Sequence, residues 1–231
     1  MQGSQDQTPK QKFLNNLSNL LQRYKMYLIV VLIVIVAGVV TFTIVSEVRK
    51  NRISTSTQKI EQLQDNYEQW LTKEDEGEKA ELEEAILTDA DAIIENYPTL
   101  YAAQRAYFVK ATFFFEQQEY SKAVTNFIEL VSKFPDSYLA PISLVNAAVA
   151  FEENGEIQKA IEQYEKLVNS YKETFPGTPE ALFSLGRLYE KAEEFTSAFE
   201  AYSDIEDTFP SSNWTKLARN RIIKLKVDGK I

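Results

Sequence analysis

An aromatic residue followed by proline recurs four times along this chain, as Tyr97-Pro98, Phe134-Pro135, Phe175-Pro176 and Phe209-Pro210, at intervals of 37, 41 and 34 residues. A period of that size marks one supersecondary unit stacked on copies of itself. Between the prolines lies a second regularity. Phe114, Ala123 and Phe127 are matched by Phe151, Ala160 and Tyr164, and again by Tyr189, Ala198 and Tyr202, always nine and then four residues apart. Two antiparallel helices explain the spacing. The small alanine lets the second helix approach the first, the aromatic four residues later lies one turn along the same face, and proline pushes the residue before it out of the α region, ending the helix. The links between the paired helices are Gln118-Glu119-Tyr120, Asn154-Gly155-Glu156 and Glu193-Glu194-Phe195, and only the second carries the glycine expected at a helix end.

With these residues in place the chain resembles the tetratricopeptide repeat (TPR) family. The family's pattern is met most fully by Leu182, Leu185-Gly186, Tyr189, Ala198, Tyr202 and Pro210. The first unit offers Tyr107, Ala111, Phe114, Ala123, Phe127 and Pro135, with Lys110 where a leucine is usual. The second offers Leu144, Ala147-Ala148, Phe151, Ala160 and Tyr164, but its proline comes four residues late, which predicts a second helix one turn longer. The fold expected is all-α: a TPR α-solenoid of helical hairpins behind a single N-terminal transmembrane helix, with three hairpins and a C-terminal capping helix over residues 99–227. Upstream, Ile60, Leu63, Tyr67, Trp70 and Leu71, then Leu82, Ala85, Ile86, Ala90, Ile93 and Ile94, predict a degenerate leading hairpin over 58–98. Trp214, Leu217, Ala218, Ile222 and Leu225 predict the closing helix. Terminal units of a solenoid are expected to be atypical.

Ahead of the solenoid, Met26 to Val45 is a run of twenty uncharged residues rich in Val, Ile and Leu. At about 1.5 Å per residue such a helix is about 30 Å long and matches a bilayer's hydrocarbon core. The run exceeds the apolar region of a cleaved signal peptide and no A-x-A site follows it, so residues 26–46 are read as a signal anchor. Residues 47–57 are expected as a polar, β-branched linker (RISTST from Arg52). Residues 1–25 are expected as a short cytoplasmic tail, amphipathic through Phe13, Leu14, Leu17, Leu20, Leu21 and Tyr24, that lies in the membrane interface. Four basic residues flank each side of the run, so the positive-inside rule assigns no orientation.

Residues 1–52 hold seven basic and two acidic residues, leaving eighteen and thirty-two for 53–231, a net +5 against −14. An acidic body repels phosphate backbones, which argues against nucleic acid as partner. No cysteine or histidine is present. Disulfides, thiolate chemistry, lipidation on cysteine and histidine-based catalysis are thereby excluded. The seven glycines do not cluster into a phosphate-cradling loop. Acidic pairs such as Glu152-Glu153 and Glu193-Glu194 point about 100° apart on a helix and read as solvated surface. The expectation is therefore no enzyme, no cofactor and no metal site.

What remains is a surface. The family resemblance implies a groove lined by the first helices of successive hairpins that binds proteins or peptides. Carried over residue by residue, its positions are Arg105, Phe108, Thr112, Phe115 and Glu116, then Ile142, Val145, Val149, Glu152 and Glu153, then Glu180, Phe183, Arg187, Glu190 and Lys191. Arg105, Phe108, Phe115, Val145, Val149, Phe183 and Arg187 are the candidate partner-binding set. The Lys, Asn and Arg lattice that chaperone-binding members use to clamp a carboxylate is missing, the positions being mostly apolar or acidic. The stretch ATFFFEQQEY poses the packing question most sharply, because three consecutive phenylalanines fan over about 200° of a helix. The register assigns Phe114 to the hairpin core, Phe113 to a neighbouring helix and Phe115 to the groove. Burial of the groove by the closing helix or the leading hairpin stands as the alternative.

In layout the chain resembles the YfgM-like ancillary subunits of the bacterial Sec translocon, and in residues over ENYPTLYAAQRAYFVKATFFFEQQEYSKAVTNF. That resemblance implies a single-pass inner-membrane protein with its bulk in the periplasm, and the translocon, exported chains or periplasmic chaperones as partners. The turns FPDSYLAP and YPTLYAA equally resemble the repeat domains of YbgF proteins and of the outer-membrane assembly lipoprotein. Those imply a structural scaffold for one folded partner, and a reversed topology implies a cytoplasmic one.

Overall fold

The computed structural model describes residues 8–231. The first seven residues of the expected tail 1–25 lie outside the described residues. Among the described residues there are nine α-helices and no strand: α1 (Pro9–Thr72), α2 (Glu76–Asn96), α3 (Tyr101–Glu116), α4 (Tyr120–Lys133), α5 (Leu139–Glu153), α6 (Ile157–Tyr171), α7 (Thr178–Lys191), α8 (Phe195–Thr208) and α9 (Asn213–Val227).

The chain divides after Ser54 into two compact units. In the first, α1 opens with a reciprocal cap, Gln11 N–H donating to Thr8 Oγ1 and Thr8 N–H to Gln11 Oε1. Residues 8–55 are exposed throughout, including the whole apolar run, which is long and apolar enough to cross a membrane. The expected linker 47–57 contains the division between the two units and is helical, lying inside α1. Ile53, Thr55 and Thr57 lower helix propensity by only a few tenths of a kcal/mol each, and no glycine or proline interrupts the backbone.

In the second unit, the end of α1 and α2 form the leading hairpin. Ile60, Leu63 and Trp70 are buried against Ile86, Ala90 and Ile93, and Trp70 Nε1 donates to Glu83 at 3.0 Å. Asp75 caps α2 by accepting from Glu78 N–H at 2.9 Å. Leu71, expected on the apolar face, is half exposed.

The three following hairpins are α3/α4, α5/α6 and α7/α8. The alanines that the repeat places at the close approach, Ala123, Ala160 and Ala198, are fully buried, as are their partners Phe127, Tyr164 and Tyr202. Tyr97, Phe134 and Phe209 cap α2, α4 and α8, each donating its N–H to the carbonyl four residues back. The second hairpin differs from expectation. Its second helix is not a turn longer, since α6 ends at Tyr171. The additional residues before Phe175-Pro176 form a turn, tied by Phe175 N–H to the Tyr171 carbonyl at 2.9 Å.

All three hairpin links make the same turn. Glu119, Glu156 and Glu194 N–H groups reach back five residues to Phe114, Phe151 and Tyr189 carbonyls at 2.8–2.9 Å. The residue before each sits in the left-handed region, with φ 59° at Gln118, 78° at Gly155 and 63° at Glu193. These are Schellman turns, two of them without the usual glycine. The closing helix α9 packs on α8 and α7.

Candidate functional site

The first helices of the hairpins, α3, α5 and α7, carry the expected groove positions, and the structure divides those positions into two groups. Val145, Val149 and Arg187 come together with Glu152, Glu153 and Glu180 around a cavity of about 490 Å³ between α5 and α7. Its remaining wall is Tyr164, Phe175, Gly177, Ala181 and Ser184. Phe108, Phe115, Phe183 and Arg105 do not line it. Phe108 stands edge-on to Phe127 of its own hairpin at 5.8 Å. Phe115 packs edge-on to Tyr120 at 5.4 Å. Phe183 packs between Tyr202 at 5.4 Å and Trp214 of α9 at 5.1 Å. Arg105 donates to Gln64 of the leading hairpin. All three phenylalanine rings are half-buried.

The neighbours in FFF fall where the repeat register puts them. Phe113 is buried against Trp70 at 4.8 Å, and Phe114 is buried in the cluster that holds Ala123 and Phe127.

At the cavity rim the Arg187 guanidinium forks onto Glu152, Nη1 to Oε1 at 2.7 Å and Nη2 to Oε2 at 2.6 Å. Lys191 lies 3.5 Å from the same carboxylate. Hydrogen bonding from Arg187 is the main reason the Glu152 carboxyl is held below the usual carboxylate range, with burial opposing it. Burial pushes the Tyr164 phenol up, against a hydrogen bond with Ser184. One hairpin further on, Arg221 of α9 forks onto Glu190 at 2.8 and 2.5 Å. The Tyr202 hydroxyl donates to the same carboxylate at 2.6 Å. Polar pairs thus run from α5 to α7 and from α7 to α9 along this face. The arrangement offers an apolar floor and an acidic rim; it offers no nucleophile with an adjacent base. Among the described residues no group of three or more acidic side chains is placed to hold a metal ion.

The lining residues that spacing did not identify are Phe175, Gly177, Tyr164, Ala181 and Ser184. Phe175 carried a signal, the 41-residue interval. A Cβ on Gly177 would stand 2.5 Å from Phe175 Cε1, so only a glycine there lets the ring lie over the turn. Tyr164 was assigned to the core, and it is 3% exposed while contributing to the cavity floor.

Comparison with known proteins gives consistent matches. A family model described as a tetratricopeptide repeat-like domain matches residues 19–229. A TPR repeat-containing protein of Treponema pallidum (strain Nichols) is 35% identical over 57 residues, 25% of this chain and 24% of that protein, so the match spans about a quarter of that relative's length. Among solved structures, a tetratricopeptide repeat protein from Parabacteroides merdae ATCC 43184 aligns with TM-score 0.54 and 20% identity, covering 74% of this chain and 61% of that one. TPR-like repeats of a candidate kinesin light chain from Podosopora anserina align with TM-score 0.57 and 15% identity, covering 74% and 88%. At these identities the two structures share the fold with this chain.

Proposed function

This chain belongs to the tetratricopeptide repeat-like domain family, and from that premise we propose that it is a membrane-anchored protein-binding module acting beside the Sec translocon. The fold is a protein-interaction scaffold, and domains of this kind bind proteins or peptides. In the proposed arrangement residues 26–46 cross the bacterial inner membrane and the acidic repeats face the periplasm. There they engage exported chains or periplasmic chaperones through the α3/α5/α7 face. The observation that carries the binding role is the cavity between α5 and α7, whose mouth neither α2 nor α9 lines. The exposed apolar run at Met26–Val45 supports the anchor.

Phe108, Phe115 and Phe183 are engaged with neighbouring rings, which leaves less open apolar surface on this face than three free rings would present. That favours capture of particular segments, and it equally supports a second reading, a scaffold for one folded partner in envelope assembly. Photo-crosslinking from Val145 and Val149 in cells, together with protease treatment of spheroplasts, tests the proposal. Cleavage of the repeats from outside and crosslinks to translocon subunits or exported chains are expected. Protection from protease overturns the periplasmic placement, and a single stoichiometric crosslink to an unrelated envelope protein replaces the translocon role with the scaffold.

A further inference from the structure

We infer that the cavity between α5 and α7 selects a segment in which a large apolar side chain has a lysine or arginine as its neighbour in sequence. The inference rests on the protein-binding role proposed above and specifies its ligand. A volume of about 490 Å³ lies within the roughly 300–1,000 Å³ typical of ligand pockets. Val145, Val149 and Ala181 form its floor with the rings of Tyr164 and Phe175. An apolar group gains by covering the exposed apolar surface of Val145, Val149 and Phe175. The Phe175 ring forms one wall and lies over Gly177, where a Cβ would stand 2.5 Å from it.

The rim sets the sign of the neighbouring charge. The carboxylates lining it are Glu152, Glu153 and Glu180, the cation lining it is Arg187, and Lys191 reaches the rim 3.5 Å from Glu152. Arg187 is spent on Glu152, through two hydrogen bonds. Glu153 and Glu180 are exposed, and among the described residues no ion pair engages either. An incoming segment therefore meets uncompensated negative charge one residue's reach from the apolar floor. A carboxylate or phosphate beside the apolar side chain would be repelled, and an ammonium or guanidinium attracted.

Anisotropy titrations of the full chain in detergent micelles test this with three labelled eight-residue peptides, identical except that a central Phe is followed by Lys, by Glu or by Ser. At low salt the Phe-Lys peptide is expected to bind about tenfold more tightly than Phe-Glu, with Phe-Ser between, and the gap should narrow at about 0.5 M salt as the rim is screened. A Phe-to-Ser change in the Phe-Lys peptide should abolish binding. The double variant Glu153→Lys/Glu180→Lys, at two exposed positions and with an unchanged circular dichroism spectrum, should reverse the order. Equal affinities for all three peptides, unmoved by the double variant, overturn the charge selection and leave the protein-binding role standing. No binding of any peptide up to millimolar concentration overturns the inference outright, and the protein-binding role is then decided by the crosslinks from Val145 and Val149.

Discussion

Replacing Gly186 by alanine sets two effects of known size against each other. Gly186 is buried inside α7, where alanine should gain about 1 kcal/mol of helix propensity. A Cβ there, however, would lie 2.5, 2.7 and 2.9 Å from three atoms of the Tyr202 ring. Relief to an ordinary contact needs a shift on the order of 1 Å, and the ring has nowhere to go. It is fully buried, its hydroxyl is fixed to Glu190, Glu190 is fixed by Arg221, and Phe183 closes the other side. The helices α7 and α8 must therefore separate. Overpacking of this kind costs about 1–3 kcal/mol, and three ring atoms in contact place this case in the upper half. The net expectation is a loss of about 1–2 kcal/mol, or a fall in Tm of about 2–8 °C for a unit of this size. Urea and thermal unfolding of the full chain in micelles measure it. In a Tyr202→Leu background the obstruction is gone, so the same alanine should be neutral or gain the propensity term. A Gly186→Ala variant as stable as the parent with Tyr202 present would refute the close-approach argument for this residue.

Three further expectations follow from single sites. Gln118 holds φ 59° and Gly155 φ 78° in equivalent turns, so Gln118→Gly should raise the unfolding free energy measured in urea by about 1 kcal/mol and Gly155→Ala should lower it by a similar amount; a loss for Gln118→Gly or a gain for Gly155→Ala would contradict the Schellman assignment. Glu152 has its carboxyl depressed below the ordinary value of 4.5 by Arg187, so it adds stability above that value that is lost as pH falls through the depressed one. The stability difference between the parent and Glu152→Gln should therefore shrink below about pH 4, and a difference that persists at pH 2 would show the pair is not its source. Ser143 Oγ is fully buried without a hydrogen-bond partner, so Ser143→Ala should be neutral or stabilising by about 1–3 kcal/mol; a loss above about 1 kcal/mol in chemical unfolding would reveal a bond the structure lacks.

The hairpins were legible because close helix pairing leaves few choices of residue. Ala123, Ala160 and Ala198 are where two backbones meet, and the residue before each proline must leave the helix, so both features repeat in the sequence. The turns were less legible, since a left-handed residue need not be glycine: Gln118 and Glu193 adopt the same geometry as Gly155 at a cost the flanking hydrogen bonds absorb. That the linker is helical was not legible, because polarity and β-branching are weak helix breakers when both neighbours are already helical. The groove was half legible. Spacing gives the face on which Phe108, Phe115 and Phe183 stand, but whether a ring on that face points outward depends on what lies a few ångströms away. Tyr120, Phe127 and Trp214 happen to be there. The cavity depends on the path of the turn between α6 and α7, which no periodicity specifies.

Arg187 separates the two roles of the polar pairs on this face. As a groove residue of a repeat protein it invites the reading that it holds a ligand's carboxylate. Its geometry argues otherwise, because both guanidinium arms are committed to Glu152 and it stands 44% exposed at the side chain. A pair this exposed to solvent contributes only about 0–1 kcal/mol to stability, so its loss should loosen α5 from α7 only slightly. Its loss also leaves Glu152 ionised with Lys191 as its nearer remaining cation, making the rim more acidic by one charge. Arg187→Ala is therefore expected to bind the Phe-Lys peptide about two- to fivefold more tightly while losing less than about 1 kcal/mol of stability. A ligand-contacting arginine would produce the reverse, weaker binding at unchanged stability. Weakened binding of Phe-Lys by Arg187→Ala, with the fold intact, would show that the positive charge at the rim acts on the ligand instead of on Glu152.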